Sequence, residues 1–171
     1  MVKADKPFNE CHWIKEGIFL AGEYPRNLDE DSSQVKINQI LNSGIKSFVD
    51  LTEEDELKPY AQFLNDSIKY RRFPIKDLSI PHSKEFVIIL LDYIDSEISN
   101  NQPVYMHCWG GRGRTGTIAG CWLTRSEGSG QSALDRYREL WSQNSKSKFS
   151  DSPETEQQCD FVRNWQEEKH G

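Results

Sequence analysis

The stretch HCWGGRGRTG, residues 107–116, limits the possible folds more than any other part of the chain. A β-rich run, PVYMHC (103–108), leads into it, and a helical pattern, GRTGTIAGCWLTR (113–125), leaves it. Strand, glycine-rich loop and helix in that order place the strand in an α/β sheet with the helix packed on one face. Two chemical readings share the loop. Gly111, Gly113 and Gly116 have the spacing G-x-G-x-x-G of a dinucleotide site, whereas Cys108 and Arg114 enclose five residues, as a phosphoester site would. The dinucleotide reading needs a second strand after the helix and an acidic residue about 20 positions on. Instead, the break GSG (128–130) is followed by another helical stripe, QSALDRYRELW (131–141), with Asp135 inside it. No Lys-Ser/Thr pair follows the glycines, so a nucleotide-hydrolase phosphate loop is excluded as well.

The phosphoester reading uses every part of the loop. Glycines let backbone N–H groups turn inward, and a nest of N–H groups at a helix N-terminus binds a tetrahedral dianion. Arg114 adds a two-pronged contact to two oxygens. The same positive field favours a thiolate at Cys108, the ionised form being the nucleophile. Thr115 can donate its hydroxyl to the sulfur, and His107 can brace the loop from behind through the backbone. Trp109, Gly110, Gly111, Arg112 and Gly113 complete the binding loop.

The remaining pattern is consistent with an α/β chain. WIKEGIFLAG (13–22) reads as two short strands around a turn at Glu16-Gly17, and IKSFVDL (45–51) and IKYRRFPI (68–75) as extended runs. DEDSSQVKINQILNSG (29–44) reads as a helix with a stripe at Val35, Ile37, Ile40 and Leu41 and a stop at Gly44. Thr52 with Asp55 predicts a capping box opening a helix through Phe63 and Leu64. Ser83 caps KEFVIILLDYIDSEIS (84–99), apolar nearly all the way round and therefore expected to be buried. Ser152-Pro153 predicts an N-cap and first helical residue for a last helix carrying Phe161, Val162 and Trp165. The expected fold is a central mixed, largely parallel sheet of about five strands with helices on both sides, in one domain over residues 1–171.

Phosphoester chemistry needs a proton donor for the leaving oxygen. Asp77 in FPIKDLSIP (73–81), between Pro74 and Pro81, lies 31 residues before Cys108 and is the best placed. Asp50, Asp92 and Asp95 are rivals. Lys69, Arg71, Arg72 and Lys76 precede Asp77, enough for a local positive rim in a chain of net charge −6. That net charge disfavours a nucleic-acid partner. No run approaches the roughly 18 apolar residues of a membrane span, and the start of the chain carries no apolar signal region. Four widely spaced cysteines argue for a reducing compartment, hence the cytoplasm, and against a zinc site.

His107-Cys108-x5-Arg114-Thr115-Gly116 resembles the H-C-x5-R-[ST]-G signature of the cysteine-dependent protein tyrosine phosphatase superfamily. Pro74-x-x-Asp77-x-x-x-Pro81 is similar to the general-acid loop of its dual-specificity members. The pattern W-x3-G-x-F-L-A-G from Trp13 to Gly22, and the Gly110-Gly111 pair, look like the compact dual-specificity group, including cyclin-dependent-kinase-associated phosphatases and small prokaryotic relatives. The likeness covers about residues 13–165. It implies hydrolysis of phosphotyrosine, and of phosphoserine or phosphothreonine, in proteins through a phosphocysteine, with Cys108 as nucleophile, Arg114 binding phosphate, Asp77 as acid then base and Thr115 steadying the thiolate. It implies no metal and no organic cofactor, a phosphorylated protein as partner, no stable membrane association and a monomer.

Two departures bear on specificity. Glu154-Thr155-x-x-Gln158 stands where phosphotyrosine-specific enzymes carry Q-T-x-x-Q, so Gln157 and Gln158 read as helix-surface residues. Arg112 is a second loop cation, where lipid-directed members carry lysine; this leaves a phosphoinositide or inositol-polyphosphate phosphatase as the alternative activity. A non-catalytic phosphate-binding module and a rhodanese-like protein are alternatives of other kinds. Cys121 and Cys159 are candidates for a protective disulfide with Cys108.

Overall fold

Period-two alternation sorts the strand residues of this computed structural model, which describes residues 5–168, onto two faces of one sheet. Residues 1–4 and 169–171, part of the expected single domain, lie outside the described residues. The sheet has five strands in the order β1-β2-β5-β3-β4: β1 (Cys11–Lys15), β2 (Phe19–Gly22), β3 (Ser47–Asp50), β4 (Lys69–Arg72) and β5 (Val104–His107). β1 pairs antiparallel with β2; every other pairing is parallel. The mixed, largely parallel sheet expected from the sequence is what forms.

Phe19, Ala21, Val49, Val104 and Met106 point into the larger core, with α2 (Lys84–Ser99), α3 (Gly113–Glu127), α4 (Gly130–Trp141) and α5 (Glu156–Arg163). Leu20, Phe48 and Tyr105 point into a second core, under α1 (Glu30–Asn42) and a 3-10 turn at Ala61–Phe63. Burial on both faces explains why these strands read as unbroken apolar runs. The GSG break divides α3 from α4, with Gly128 ending one helix and Ser129 capping the next through Ser132 N–H.

Four expectations are corrected. No helix opens at Thr52. Its N–H and hydroxyl both donate to Asp50 Oδ1, and Asp55 takes a positive φ of 65°, so the segment turns back over the sheet edge. The last helix does not start at Pro153: the Ser152-Pro153 peptide is cis, and Thr155 caps α5 in a capping box with Gln158. On α1, Val35 is exposed while Ser33 and Lys36 are buried, because the helix faces the loop after β2 as well as the sheet. α2 buries one face only, through Val87, Leu90, Leu91 and Ile94, and exposes Ile89.

The C-terminal ends of β2, β5, β3 and β4 share one edge, at Gly22, His107, Asp50 and Arg72. The loops that leave them therefore converge there, as in open α/β sheets whose crevice lies beyond the strand ends.

Candidate active site

β5 delivers Cys108 to that edge, and the loop over residues 108–112 runs directly into α3. Cys108 is buried, and Arg114 lies in the first turn of α3 with its side chain only 1% exposed. Gly111 has φ +72°, and a Cβ there would lie 2.4 Å from the backbone of Gly22. At Gly116 a Cβ would lie 2.4 Å from Ser152 Oγ. These two glycines are set by close packing against β2 and against the segment before α5, in addition to the need for free N–H groups.

The loop is shaped by struts on its carbonyls. His107 Nδ1 meets Cys108 O at 3.2 Å, Tyr24 N–H donates to Trp109 O at 2.9 Å, and Lys146 Nζ donates to Gly110 O at 2.8 Å. Ser152 Oγ donates to Arg112 O at 2.5 Å. A trans peptide is planar with C=O and N–H opposed. Each carbonyl tied outward thus turns the N–H of the next residue, 109, 110, 111 or 113, to the loop's other side. Residues from four separate parts of the chain thus fix the loop's peptides, which an anion nest would require.

The Ser152 strut ends a buried chain of hydrogen bonds. Asn144 Oδ1 accepts from Lys146 N–H, which orients the amide so that Nδ2 faces His12 Nδ1 at 3.1 Å. His12 Nε2 then donates to Tyr137 OH at 3.1 Å, and Tyr137 OH donates to Ser152 Oγ at 2.8 Å. All donors run one way, toward Arg112 O. Burial, aided by Lys6, pushes His12 down to about 3, so the ring is neutral, as the chain requires.

His107 is also buried and neutral: burial lowers its pKa, outweighing the opposing field of Asp50. Its Nε2 accepts from Tyr60 OH at 2.5 Å, so it braces the loop as the sequence suggested.

Arg114 is held by a residue the sequence reading missed. Glu56 accepts from both Nη1 and Nη2 at 2.8 Å, and Ile75 O accepts from Nη1 at 2.9 Å. Burial would raise the Glu56 pKa, but the hydrogen bonds from Arg114 hold it below the usual carboxylate range. Arg114 Nε and Thr115 Oγ1 are buried and make no hydrogen bond among the described residues. The expected Thr115–Cys108 hydrogen bond is therefore not formed. The signal for Glu56 was an acidic run, TEEDE (52–56), on the loop leaving a central parallel strand.

Asp77 comes to the site. Its Oδ1 lies 3.3 Å from Arg114 Nη2, and its side chain is 48% exposed beside the loop. The rivals do not. Asp50 is wholly buried, bonded by Thr52 and Tyr70. Burial would raise its pKa, but the hydrogen bonds from Thr52 and Tyr70 help to hold it below the usual carboxylate range. Asp92 and Asp95 pair with Arg125 on the outside of α2 and α3.

A mouth of about 420 Å³ opens over the loop, lined by Asp77, Leu78, Trp109, Arg112, Lys146 and Glu154 among others. Trp109 stands 57% exposed at its edge. Arg112 is turned aside: its guanidinium pairs with Glu154 at 3.0 Å and donates to Asp151 O. Gln158 is not a surface residue, although Gln157 is. It is fully buried, with Oε1 accepting from Glu154 and Thr155 N–H and Nε2 donating to Ser79 O at 3.2 Å, so it ties the Asp77 loop to α5. The basic run before Asp77 is dispersed. Lys69 pairs with Glu97, Arg71 stacks over Phe73 and Tyr93, and Arg72 pairs with Asp50. The four cysteines are free thiols; Cys121 is sealed in the core, where burial pushes its thiol up, and Cys159 lies near Arg138 and Pro153. Among the described residues no group of three or more His, Cys, Asp or Glu could hold a metal ion, and no helix is long and apolar enough to cross a membrane.

A family model described as "Polymorphic toxin system, DSP-PTPase phosphatase" matches residues 26–128, more than half of the chain and the whole loop. The chain belongs to this DSP-PTPase phosphatase family. It is 31% identical over 147 residues to "Putative tyrosine phosphatase 197R" of Invertebrate iridescent virus 6, covering 84% of this chain and 48% of the relative. The chain spans about half the length of the curated viral relatives it matches, the protein of Invertebrate iridescent virus 3 included. Among solved structures, the active form of Tk-PTP superposes with a TM-score of 0.73 at 23% identity, over 91% of this chain and 95% of that one. A complex of P. aeruginosa TpbA with phosphotyrosine superposes with a TM-score of 0.67 at 17% identity, over 95% of this chain and 88% of that one. At these identities the structural likeness is one of fold, and it is the fold of the compact phosphatases.

Proposed function

We propose that the chain hydrolyses phosphomonoesters, phosphotyrosine first and phosphoserine or phosphothreonine with it, in proteins through a phosphocysteine. The observation that carries this is the meeting of three groups at one edge of the sheet. Cys108 opens a loop whose carbonyls are tied by hydrogen bonds, Arg114 is fixed by Glu56, and Asp77 stands 3.3 Å from that arginine. A module that only held phosphate would need neither the thiol nor the aspartate.

In the first step the Cys108 sulfur attacks phosphorus in line, a sulfur–phosphorus bond forms and the bond to the leaving oxygen breaks. Arg114 and the N–H groups of the loop take the charge on the equatorial oxygens. Asp77 protonates the leaving oxygen. In the second step Asp77 takes a proton from water as that water attacks phosphorus, and the sulfur leaves as a thiolate. Thr115 Oγ1, buried without another partner among the described residues, donates to it. The binding loop is Trp109 to Gly113 with Arg114.

Protein substrates are favoured over phosphoinositides because the second loop cation is already spent. Arg112 faces Glu154 and Lys146 faces Glu23, so neither cation at the mouth is free to take a second phosphate of a polyphosphorylated ring.

The test is phosphate release from phosphotyrosine peptide, phosphoserine/threonine peptide and phosphoinositide vesicles, by wild type and by Cys108→Ser. Turnover of the peptides, lost in Cys108→Ser, is expected. Turnover of the vesicles alone would transfer the assignment to lipids, and turnover that survives Cys108→Ser would remove the mechanism.

A further inference from the structure

Among the described residues six large apolar side chains are exposed, and three of them, Leu28, Leu78 and Trp109, stand on the catalytic face. Leu28 is 94% exposed, which nothing in the packing of the domain requires. It borders a second cavity of about 570 Å³ that shares Glu23 and Trp109 with the catalytic mouth. The two cavities thus adjoin, with Glu23 and Trp109 on the border between them. Leu78, on the Asp77 loop, lies in the mouth itself.

Apart from Lys58, the charges in this second cavity are committed. Lys36 Nζ bonds Glu23 at 2.6 Å and Tyr24 O at 2.9 Å. Glu23 is shared with Lys146 at 2.8 Å, and those two ammonium groups keep its carboxyl below the usual range against the upward push of burial. Arg26 donates to Pro59 O and lies over the Phe63 ring. Asp29 caps α1 through Ser32. Lys58 lies exposed at the rim. What the cavity offers a ligand is therefore mainly apolar surface from Leu28, Leu57, Tyr24 and Trp109. An exposed apolar patch of this kind, beside a reaction centre, marks an interaction site.

We propose that this cavity is a subsite for a large apolar side chain of the substrate polypeptide, adjacent in sequence to its phosphorylated residue. The inference rests on the phosphatase reading above. It follows from adjacency: Trp109 lines both cavities, so a phosphorylated residue seated in the mouth brings its neighbour in the chain to the cavity that Leu28 borders. Burying a leucine or phenylalanine side chain there is worth about tenfold in kcat/KM.

The experiment compares phosphotyrosine peptides carrying Leu, Gly or Asp in turn immediately before and immediately after the phosphotyrosine, with p-nitrophenyl phosphate as a substrate that has no flanking residues. Wild type is expected to prefer the Leu peptide over the Gly peptide about tenfold at one of the two positions. Leu28→Asp is expected to abolish that preference, whereas Ile89→Asp, at another exposed leucine-sized side chain on the far helix α2, retains it. Equal kcat/KM for the Leu and Gly peptides at both positions, with turnover intact, overturns the subsite alone. So does a preference that survives Leu28→Asp. Absence of turnover on every substrate, p-nitrophenyl phosphate included, overturns the phosphatase reading and the subsite with it.

Discussion

Replacing Ser152 by alanine removes one oxygen and two hydrogen bonds, from Tyr137 OH at 2.8 Å and to Arg112 O at 2.5 Å. The buried Tyr137 OH costs about 1–3 kcal/mol when stranded and the part-buried Arg112 O about 1 kcal/mol, so stability should fall by about 2–4 kcal/mol. A domain of this size keeps a folded majority after such a loss, being stable by about 5–15 kcal/mol. The catalytic effect is separate. Without the strut the Arg112–Gly113 peptide is free to rotate, and the Gly113 N–H no longer has a fixed aim at the phosphate. Losing one preorganised donor outright costs about 10²–10³-fold; a donor that is present but unaimed should cost about tenfold in kcat/KM, with a similar rise in the inhibition constant of orthovanadate. Tyr137→Phe is the control. It strands the His12 N–H and lowers stability by about 1–3 kcal/mol, yet leaves Ser152 donating to Arg112 O, so kcat/KM should stay within about twofold. Steady-state kinetics and vanadate inhibition, measured well below the melting temperature of each variant, separate the two effects. Unchanged vanadate inhibition in Ser152→Ala, or an equal loss of activity in Tyr137→Phe, would refute the strut.

Glu56→Gln should lower kcat/KM by about ten- to a hundredfold, because Arg114 loses a charge-assisted pair worth about 1.5–3 kcal/mol, while the Arg114 position is still held by Ile75 O; full activity on a phosphotyrosine peptide would contradict this. Asp77→Asn should slow turnover of an alkyl or phenyl phosphate by about 10²–10³-fold and that of p-nitrophenyl phosphate much less, since a good leaving group needs little protonation; equal losses on both would count against Asp77 as the acid. Stability should fall on acidification from pH 7 to pH 5. His12 titrates at about 3 in the fold against 6.5 in the unfolded chain, so below 6.5 only the unfolded chain takes up the proton, and urea unfolding should lose up to about 1.4 kcal/mol per pH unit from this residue. His107 is shifted the same way and adds to the slope; a flat profile between pH 7 and pH 5 would exclude neutral buried histidines. Gly116→Ala should abolish activity or folding, since its Cβ would meet Ser152 Oγ at 2.4 Å; a fully active, equally stable variant would show that the segment before α5 can give way.

The parts of the site that were legible in the sequence are those whose logic is local. Cys108, Arg114 and the glycines lie within one strand–loop–helix unit, and period-two and helical patterns flank them. Asp77 was legible because it sits alone between two prolines on a loop after an extended run. The supports were not legible, because each arrives from a different element. Glu56, Tyr24, Lys146 and Ser152 meet the loop only through the order of the strands, and His12 joins them across the sheet. Local rules also misled where a tertiary partner outbid them. Thr52 and Asp55 fit a capping box, but the buried Asp50 carboxylate takes the Thr52 hydroxyl and N–H instead. Arg112 read as a ligand for an inositol phosphate, but Glu154, 42 residues on, claims its guanidinium.

The phosphocysteine is the account's central claim, and rapid acid quench of the chain during turnover of p-nitrophenyl phosphate, whose good leaving group spares the first step, followed by mass spectrometry of the peptide that carries Cys108, tests it most directly. Slowing the second step with Asp77→Asn should let the intermediate accumulate. The account predicts one added PO3 group on Cys108 in Asp77→Asn and none in Asp77→Asn combined with Cys108→Ser. Turnover with no modified Cys108, or the phosphoryl group on any other residue, would contradict it.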